Sequence, residues 1–343
     1  MYGFNMLVFS IETSCDETSV CIMHSDKTIL SHIVYSQEIH KKHGGVVPEL
    51  ASRAHLEILQ QITKDCFKQA QLSPNNIDLY SATCGPGLIG GLLVGSIFAK
   101  SLSLGVNKPF IPINHLEGHL LSPIFNNSIN FPHISYLLTG GHTQIYLVNG
   151  IGKYKLLGQT LDDAIGEAFD KVAKLLGLPY PGGAEIEEKA KTGNENSFDL
   201  PKPLSKSKNL NFSFSGLKTY INIVAKKNDN SLEFVENMCA SFQKNISEIL
   251  ITKMSYLFDY LFQNKINIDS ISLVGGVAKN KYIHKKISSY CKKYNMTVLL
   301  PISEMMGDNA AMIAWACLKK YNKNMIDINF KPDPRLAISN TNN

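Results

Sequence analysis

Two histidines four residues apart, His115 and His119 in the stretch HLEGH, are the side chains of this chain best suited to sharing a metal ion. On a helix this spacing brings both imidazoles to one face, where their neutral nitrogens can bind one divalent cation. Such pairs are also common on surface helices, so their surroundings decide the weight of the signal. The preceding FIPIN reads as a strand ending at Asn114, and open α/β sheets place their sites at strand-to-helix junctions. Glu117 follows the first histidine by two positions, about 200° around a helix, and points away from a shared ion. In the HExxH peptidase pattern the acid comes directly after the first histidine. Leu116 stands there, which argues against a zincin-type peptidase.

Other residues are open to two readings. Asp308, in GDNAAMIAWA, is either an N-cap or the carboxylate that completes a two-histidine, one-carboxylate set with vacant coordination positions. IETSCDETS offers the hydroxyls of Thr13, Ser14 and Thr18, which either hold an anion or its metal or simply make a polar turn. Its acids Glu12, Asp16 and Glu17 are the candidates for a catalytic base. TGGHT, from Thr139, and LVGGVAKN, residues 273 to 280, place glycines where a backbone can approach a ligand closely, with Asn280 at a helix start. The basic residues are nearly all lysine. Arg53 is one of only two arginines, so it is either a planar fork for carboxylate or phosphate or an exposed helix residue.

The elements that must position these residues alternate. MLVFSIE, TSVCIMH and TILSHIVYS read as three strands joined by tight turns, followed by a helix from about Pro48 to Ala70, the strand IDLYSATC and a helix from about Gly87 to Leu104. HISYLLTG, HTQIYLVNG and YKLLGQT repeat the meander, and AIGEAFDKVAKLLG follows as a helix. A long helix from about Leu232 to Asn264, the strand SISLVGG, a helix to about Tyr294, the strand TVLLP and a helix from Asp308 complete the second half. The β-β-β-α-β-α order thus occurs twice, with insertions in the second copy. Two stacked α/β domains with a cleft between them are the expected architecture, with the boundary near Asn126 to Asn130. The polar, proline-containing segment from Asn194 to Gly216 is expected to be a long surface excursion.

Composition sets outer bounds. A chain of 343 residues with 44% hydrophobic content can build two cores. Runs such as GLLVGSIFA fall well short of the roughly 20 apolar residues that cross a bilayer, so no membrane span is expected. MLVFSI has no basic flank and reads as a buried strand rather than a signal peptide, with Met6 a second candidate start beside Met1. Seven cysteines without a CxxC pair suggest reduced thiols and a cytoplasmic location. The net charge of +5 suits a nucleic-acid partner without requiring one.

Taken in order, IETSCDET, GGVVPELASRAH, PGLIGGLLVGS, HLEGH, GGHTQ, GEAFDKVAKLLGLPYPGG, FSFSGLKT, GGVAKN and GDNAAMIA resemble the TsaD family from about Met6 to Leu318. Its members are tRNA N6-adenosine threonylcarbamoyltransferases, formerly described as O-sialoglycoprotein endopeptidases. No single motif is decisive, but the ordered set is highly specific. The resemblance implies two actin/Hsp70/sugar-kinase-like (RNase H-like) domains, set here at 1–128 and 129–325 with a tail at 326–343. It implies transfer of threonylcarbamoyl from threonylcarbamoyl-AMP to N6 of the adenosine 3′ to the anticodon in tRNAs reading codons that begin with A.

By matching motifs, the resemblance implies metal ligands at His115, His119 and Asp308, with Fe²⁺ favoured and Zn²⁺ the alternative. It implies adenylate binding by Leu137, Leu138, Thr139, Gly140, Gly141, Asp170, Gly183, Glu187 and Asn280. A smaller TsaB-like paralogue and a TsaE-like ATPase are the implied partners. Thr139, Ala310 and Lys281 depart from the residues usual in the family, but none of the three removes a ligand. Lys202, Lys206, Lys208, Lys285 and Lys286 are candidate phosphate contacts for tRNA. The apolar helix from Gly87 is a candidate surface for the paralogue, with Gly90, Gly91 and Gly95 permitting close helix approach. An ATP-hydrolysing switch or small-molecule kinase, which the fold alone permits, and a non-catalytic scaffold are the rival readings.

Overall fold

The computed structural model describes residues 5–228 and 231–338. Met1 and the last five residues of the expected tail lie outside them. Two compact units are present. One comprises the described residues through Asn127 together with 151–153 and those from Pro301 onward, and the other comprises 128–150 and 154–300.

In the first unit, β1 (Leu7–Glu12), β2 (Glu17–His24) and β3 (Ile29–Ser36) form an antiparallel meander, and β4 (Leu79–Gly85) and β5 (Phe110–Asn114) extend it in parallel, in the order β3-β2-β1-β4-β5. Phe9, Ile11, Val20, Ile22, Tyr80 and Ala82 are buried in one core with Leu59 and Phe67 of α1 (Pro48–Ala70) and Ala99 of α2 (Ile89–Gly105). Each large apolar side chain buried there contributes roughly 1.5–3 kcal/mol.

The second unit repeats the plan. β6 (His133–Leu138), β7 (Thr143–Gly150), β8 (Lys153–Gln159), β9 (Ser270–Val274) and β10 (Thr297–Leu299) lie in the order β10-β9-β6-β7-β8, the same arrangement as the first sheet. Its core packs α4 (Ile165–Leu175), α5 (Gly182–Ala190), α6 (Ser215–Ala225), the 32-residue α7 (Leu232–Gln263) and α8 (Lys281–Lys292). The doubled strand order is that of the actin/Hsp70/sugar-kinase class.

Three expectations are corrected. The segment from Pro301 belongs to the first unit, not to the second domain. There α9 (Ala310–Lys320) packs on β1, β2 and α3 (His115–Leu121), with Ala310 N–H donating to Ser19 Oγ at 3.0 Å and Trp315 Nε1 to Leu121 O at 2.9 Å. The segment from Asn194 is not wholly a surface excursion, because Leu200, Leu210, Phe212 and Phe214 enter the core and Phe212 N–H donates to Gln159 O at 2.9 Å. The glycines of α2 serve their own unit. A Cβ on Gly95 would stand 2.1 Å from Thr13 Oγ1, so its close approach is to the turn after β1 rather than to a partner. Among the described residues no helix is long and apolar enough to cross a membrane.

Candidate metal centre and glycine cradle

The candidate metal centre begins with a cap. Asn114 ends β5, and its Oδ1 accepts from the N–H groups of Leu116 at 2.9 Å and Glu117 at 3.3 Å, so α3 starts at His115. His115 and His119 then share one buried face, their rings nearly perpendicular with centroids 4.8 Å apart. Asp308 Oδ1 lies 3.0 Å from His119 Nε2 and 3.5 Å from His115 Nε2. All three ligand atoms fall within 4.8 Å of one another, an arrangement that could hold a metal ion. The N-cap of α9 is Asn309, whose side chain accepts from Met312 N–H at 2.9 Å, and Asp308 turns its carboxylate to the imidazoles.

Glu12 lies behind His115, fully buried at the end of β1. One of its oxygens accepts from Ser14 N–H at 2.6 Å; the other accepts from the Thr83 hydroxyl and faces His115 Nδ1 at 3.1 Å. A carboxylate at Nδ1 keeps the proton there and leaves Nε2 directed at Asp308. Burial alone would raise the Glu12 pKa, but the His115 charge and hydrogen bond outweigh it and the net shift is downward. Burial likewise pushes His115 down, yet Asp308 and Glu12 lift it to about 9. His119 goes the other way, held down by burial and by the His115 charge. Asp16 and Glu17 are half-buried on the same turn, where burial and then Asp16 and Asp308 raise Glu17 well above the usual carboxylate range.

The turn hydroxyls are committed within the protein. Thr13 Oγ1 donates to Gly91 O at 2.9 Å, Thr18 Oγ1 lies 2.8 Å from His55 Nδ1, and Ser14 Oγ lies 3.2 Å from His115 Nδ1. They lock the turn, where an anion had been a candidate occupant. Glu117 pairs with Lys320 in the last turn of α9, away from the ligand atoms.

The adenylate candidates all belong to the second unit, where a chain of contacts joins them. Leu137 and Leu138 are buried in the β6 ladder, opposite Gln144 and Thr143 of β7, with Leu137 also opposite Val274 of β9. In the turn after β6, Thr139 N–H is spent on His142 O at 2.9 Å, while Gly140 and Gly141 are exposed, with open space where a Cβ would stand. Gly166 supports this turn from below: a Cβ there would meet Gly140 Cα at 2.8 Å and Thr139 O at 2.9 Å. Asp170 on α4 accepts from Gly182 N–H at 2.7 Å, which seats the start of α5 beside Gly183. Glu187 on α5 accepts from Lys281 N–H at 2.8 Å. Asn280 caps α8 through Ile283 N–H and donates to Gln243 Oε1 at 2.7 Å.

Of its two readings, Arg53 takes that of an exposed helix residue: it pairs with Glu49, with both side chains more than two-thirds exposed. Lys202 pairs with Glu248 at 2.7 Å and Lys286 with Glu195 at 3.5 Å. Asp162 was not foreseen. Its carboxylate accepts from the amides of Phe214 and Ser215 and the hydroxyls of Ser213 and Ser215, fixing FSFSG at the head of α6. The serines of that motif were the only signal for it.

Residues 28–315 match the family model described as TsaD: tRNA N6-adenosine threonylcarbamoyltransferase. The chain is 48% identical over 340 residues to a tRNA N6-adenosine threonylcarbamoyltransferase of Thermosipho africanus, covering 97% of this chain and 100% of the relative. It is 45% identical over 341 residues to the enzyme of that name from Rickettsia rickettsii, covering 98% and 99%. Among solved structures, HypF of T. kodakarensis superposes with a TM-score of 0.58 over 94% of this chain and 49% of its own, at 12% identity, a likeness of fold.

Proposed function

The chain belongs to the tRNA N6-adenosine threonylcarbamoyltransferase family and acts on tRNA, and we propose the following division of roles among its residues. Acyl transfer to N6 is difficult because the nitrogen lone pair is delocalised into the purine. The donor is threonylcarbamoyl-AMP, already activated by a good leaving group, and the acceptor is the adenosine 3′ to the anticodon in tRNAs reading codons that begin with A.

His115, His119 and Asp308 hold one divalent ion per chain, Fe²⁺ first and Zn²⁺ as the alternative, since two imidazoles and a carboxylate suit either. Bound there, the ion supplies Lewis acidity toward the carbamoyl carbonyl. Glu12 orients His115 and stays ionised; with its oxygens committed, it serves as a positioning group rather than the base. Asp16 and Glu17 remain the candidates for that base. The amides of Gly140 and Gly141 take the charge that develops on phosphate and carbonyl oxygens. Asp170, Gly183, Glu187 and Asn280 frame the adenosine end, and Leu137 and Leu138 contribute backbone.

Ile89, Leu93 and Ile97 recur every four residues on α2 and are exposed, which supports a TsaB-like paralogue as the partner of that face, beside a TsaE-like ATPase, in the cytoplasm. The kinase reading is disfavoured, because phosphoryl transfer has no need of the histidine pair.

The observation that carries the metal role is Glu12 at His115 Nδ1 with both Nε2 atoms turned to Asp308. Asp308→Ala tests it in the presence of partners, tRNA and preformed threonylcarbamoyl-AMP. Elemental analysis should show the ion lost, and mass spectrometry of digested tRNA should show no modified adenosine, while filter binding of tRNA persists. Wild-type metal content and rate in the variant would remove the metal role.

A further inference from the structure

Lys253 of α7 is used by none of the chemistry above. It is fully buried, and its ammonium donates to the carbonyls of Leu204 at 2.8 Å, Ser207 at 2.9 Å and Asn209 at 2.9 Å. Among the described residues it forms no ion pair. Burying a lone ammonium is costly and pulls its pKa down. An apolar side chain would fill the same space without that cost, so the charge is explained by the three carbonyls it gathers.

The same face of α7 holds the segment at further points. Tyr256 Oη donates to Ser205 O at 2.7 Å, and Asn245 Nδ2 donates to Leu200 O at 2.8 Å and Pro201 O at 3.3 Å. The carbonyls of residues 200, 201, 204, 205, 207 and 209 are therefore all drawn toward the helix. Leu204 is held at φ +56°, a left-handed conformation that leucine seldom adopts. Lys202, Lys206 and Lys208 remain exposed on the segment. Glu248 neutralises Lys202. Lys206 and Lys208 have no ion pair or side-chain hydrogen bond among the described residues, and the buried Lys253 ammonium, held by three carbonyls with its Nζ 5.6 Å from the centre of the Tyr256 ring, has no carboxylate partner among them either.

We infer that residues 200–209 form a pre-shaped cationic arm for the phosphate backbone of tRNA, with Lys206 and Lys208 as the contacts and Lys253 as the residue that positions them. A loop already fixed by its own helix loses little conformational freedom when it binds, so its few charges act at full effect. Backbone phosphates suit it better than a base edge, because lysines offer point charges without the planar fork that reads bases. The inference rests on tRNA being the substrate, as the family indicates.

The test uses the full chain with its partners and titrates substrate tRNA from about 50 to about 200 mM salt. Lys206→Glu with Lys208→Glu should weaken tRNA binding at least about tenfold and reduce the slope of log Kd against log salt by about 2, one phosphate contact for each lysine. The loss should appear in KM for tRNA, with metal content unaltered. Lys253→Met should raise Kd in the same direction although its ammonium is buried, with thermal unfolding confirming a folded protein. If that variant does not fold, the double variant decides alone. Unchanged Kd and salt slope in the double variant would overturn the arm, as would lost binding of a protein partner with tRNA affinity intact. Failure of the wild type to modify tRNA that it still binds would count against the transferase roles and leave the arm standing.

Discussion

The turn after β1 and the turn after β6 occupy equivalent places in two sheets of the same strand order, yet they are built in opposite ways. Thr13 and Ser14 are buried and tied by their side chains to Gly91 and His115, with the Ser14 amide on Glu12. Gly140 and Gly141 are exposed and bare, shaped from beneath by Gly166. Imidazole ligands need fixed rotamers and little water, which a hydroxyl-locked turn provides. The anion binding proposed for the amides of the second turn needs room, which two glycines provide. A duplicated topology therefore does not duplicate chemistry; the residues placed on each turn decide it.

The sharpest way to break this contrast is Glu12→Gln, which keeps the size of the side chain but removes the charge behind His115. Loss of such an outer-shell partner typically costs about 10–100-fold in metal affinity. The pH dependence gives a second reading. In the metal-free protein His115 is lifted to about 9, so an ion arriving at Nε2 must displace a proton. Affinity should rise with pH toward that value and level off above it. With one of the two raising charges removed, the rise should end at lower pH in the variant. Chelator competition across pH measures both, and an unchanged curve would show that Glu12 does not hold the ligand.

What the sequence shows of this contrast follows from how local each signal is. The histidine pair was legible because helical spacing and the strand before it are local, and the doubled strand order because alternation is local too. Asp308 was visible as an acid at a helix start, but its choice between cap and ligand turned on Asn309, which takes the cap. The orienting role of Glu12 depends on β1 lying beside β4, since Thr83 and His115 are distant in the chain. Leu210, Phe212 and Phe214 alternate with period two, a strand-like signal hidden by the polar residues around them. The return of α9 to the first unit, on which Asp308 depends, is tertiary packing with no local sign.

The cradle is tested next. Gly166→Ala would place a Cβ within 2.9 Å of backbone atoms of Thr139 and Gly140, which cannot rotate away as a flexible side chain could. The turn must move, and KM for threonylcarbamoyl-AMP should rise about tenfold, less than the roughly hundredfold that a misplacement of about 1 Å can cost. Gly141→Ala meets open space and should change KM far less. Metal content should stay at the wild-type level in both, since all three proposed ligands lie in the first unit. Equal effects at Gly166 and Gly141 would show that the shape of the turn is not what binds the anion.

The smallest effect is expected at Arg53, on the outer side of the first unit's α1. Its guanidinium lies 2.7 Å from Glu49 Oε1 one helical turn earlier, and the two side chains are 71% and 75% exposed. Exposed pairs of this spacing contribute about 0.3–0.5 kcal/mol, because solvent screens the attraction and both side chains lose rotamer freedom. Arg53→Ala should therefore change stability by less than about 0.5 kcal/mol. The fork has no buried carboxylate to grip, so tRNA affinity should also stay within about twofold of wild type, and Arg53→Lys should be indistinguishable from it. A loss of tenfold or more in tRNA binding for Arg53→Ala, with Arg53→Lys failing to restore it, would make the outer face of α1 a phosphate-binding surface. The first unit would then hold nucleic acid as well as metal ligands, and the contrast between the two turns would no longer describe how the chain divides its work.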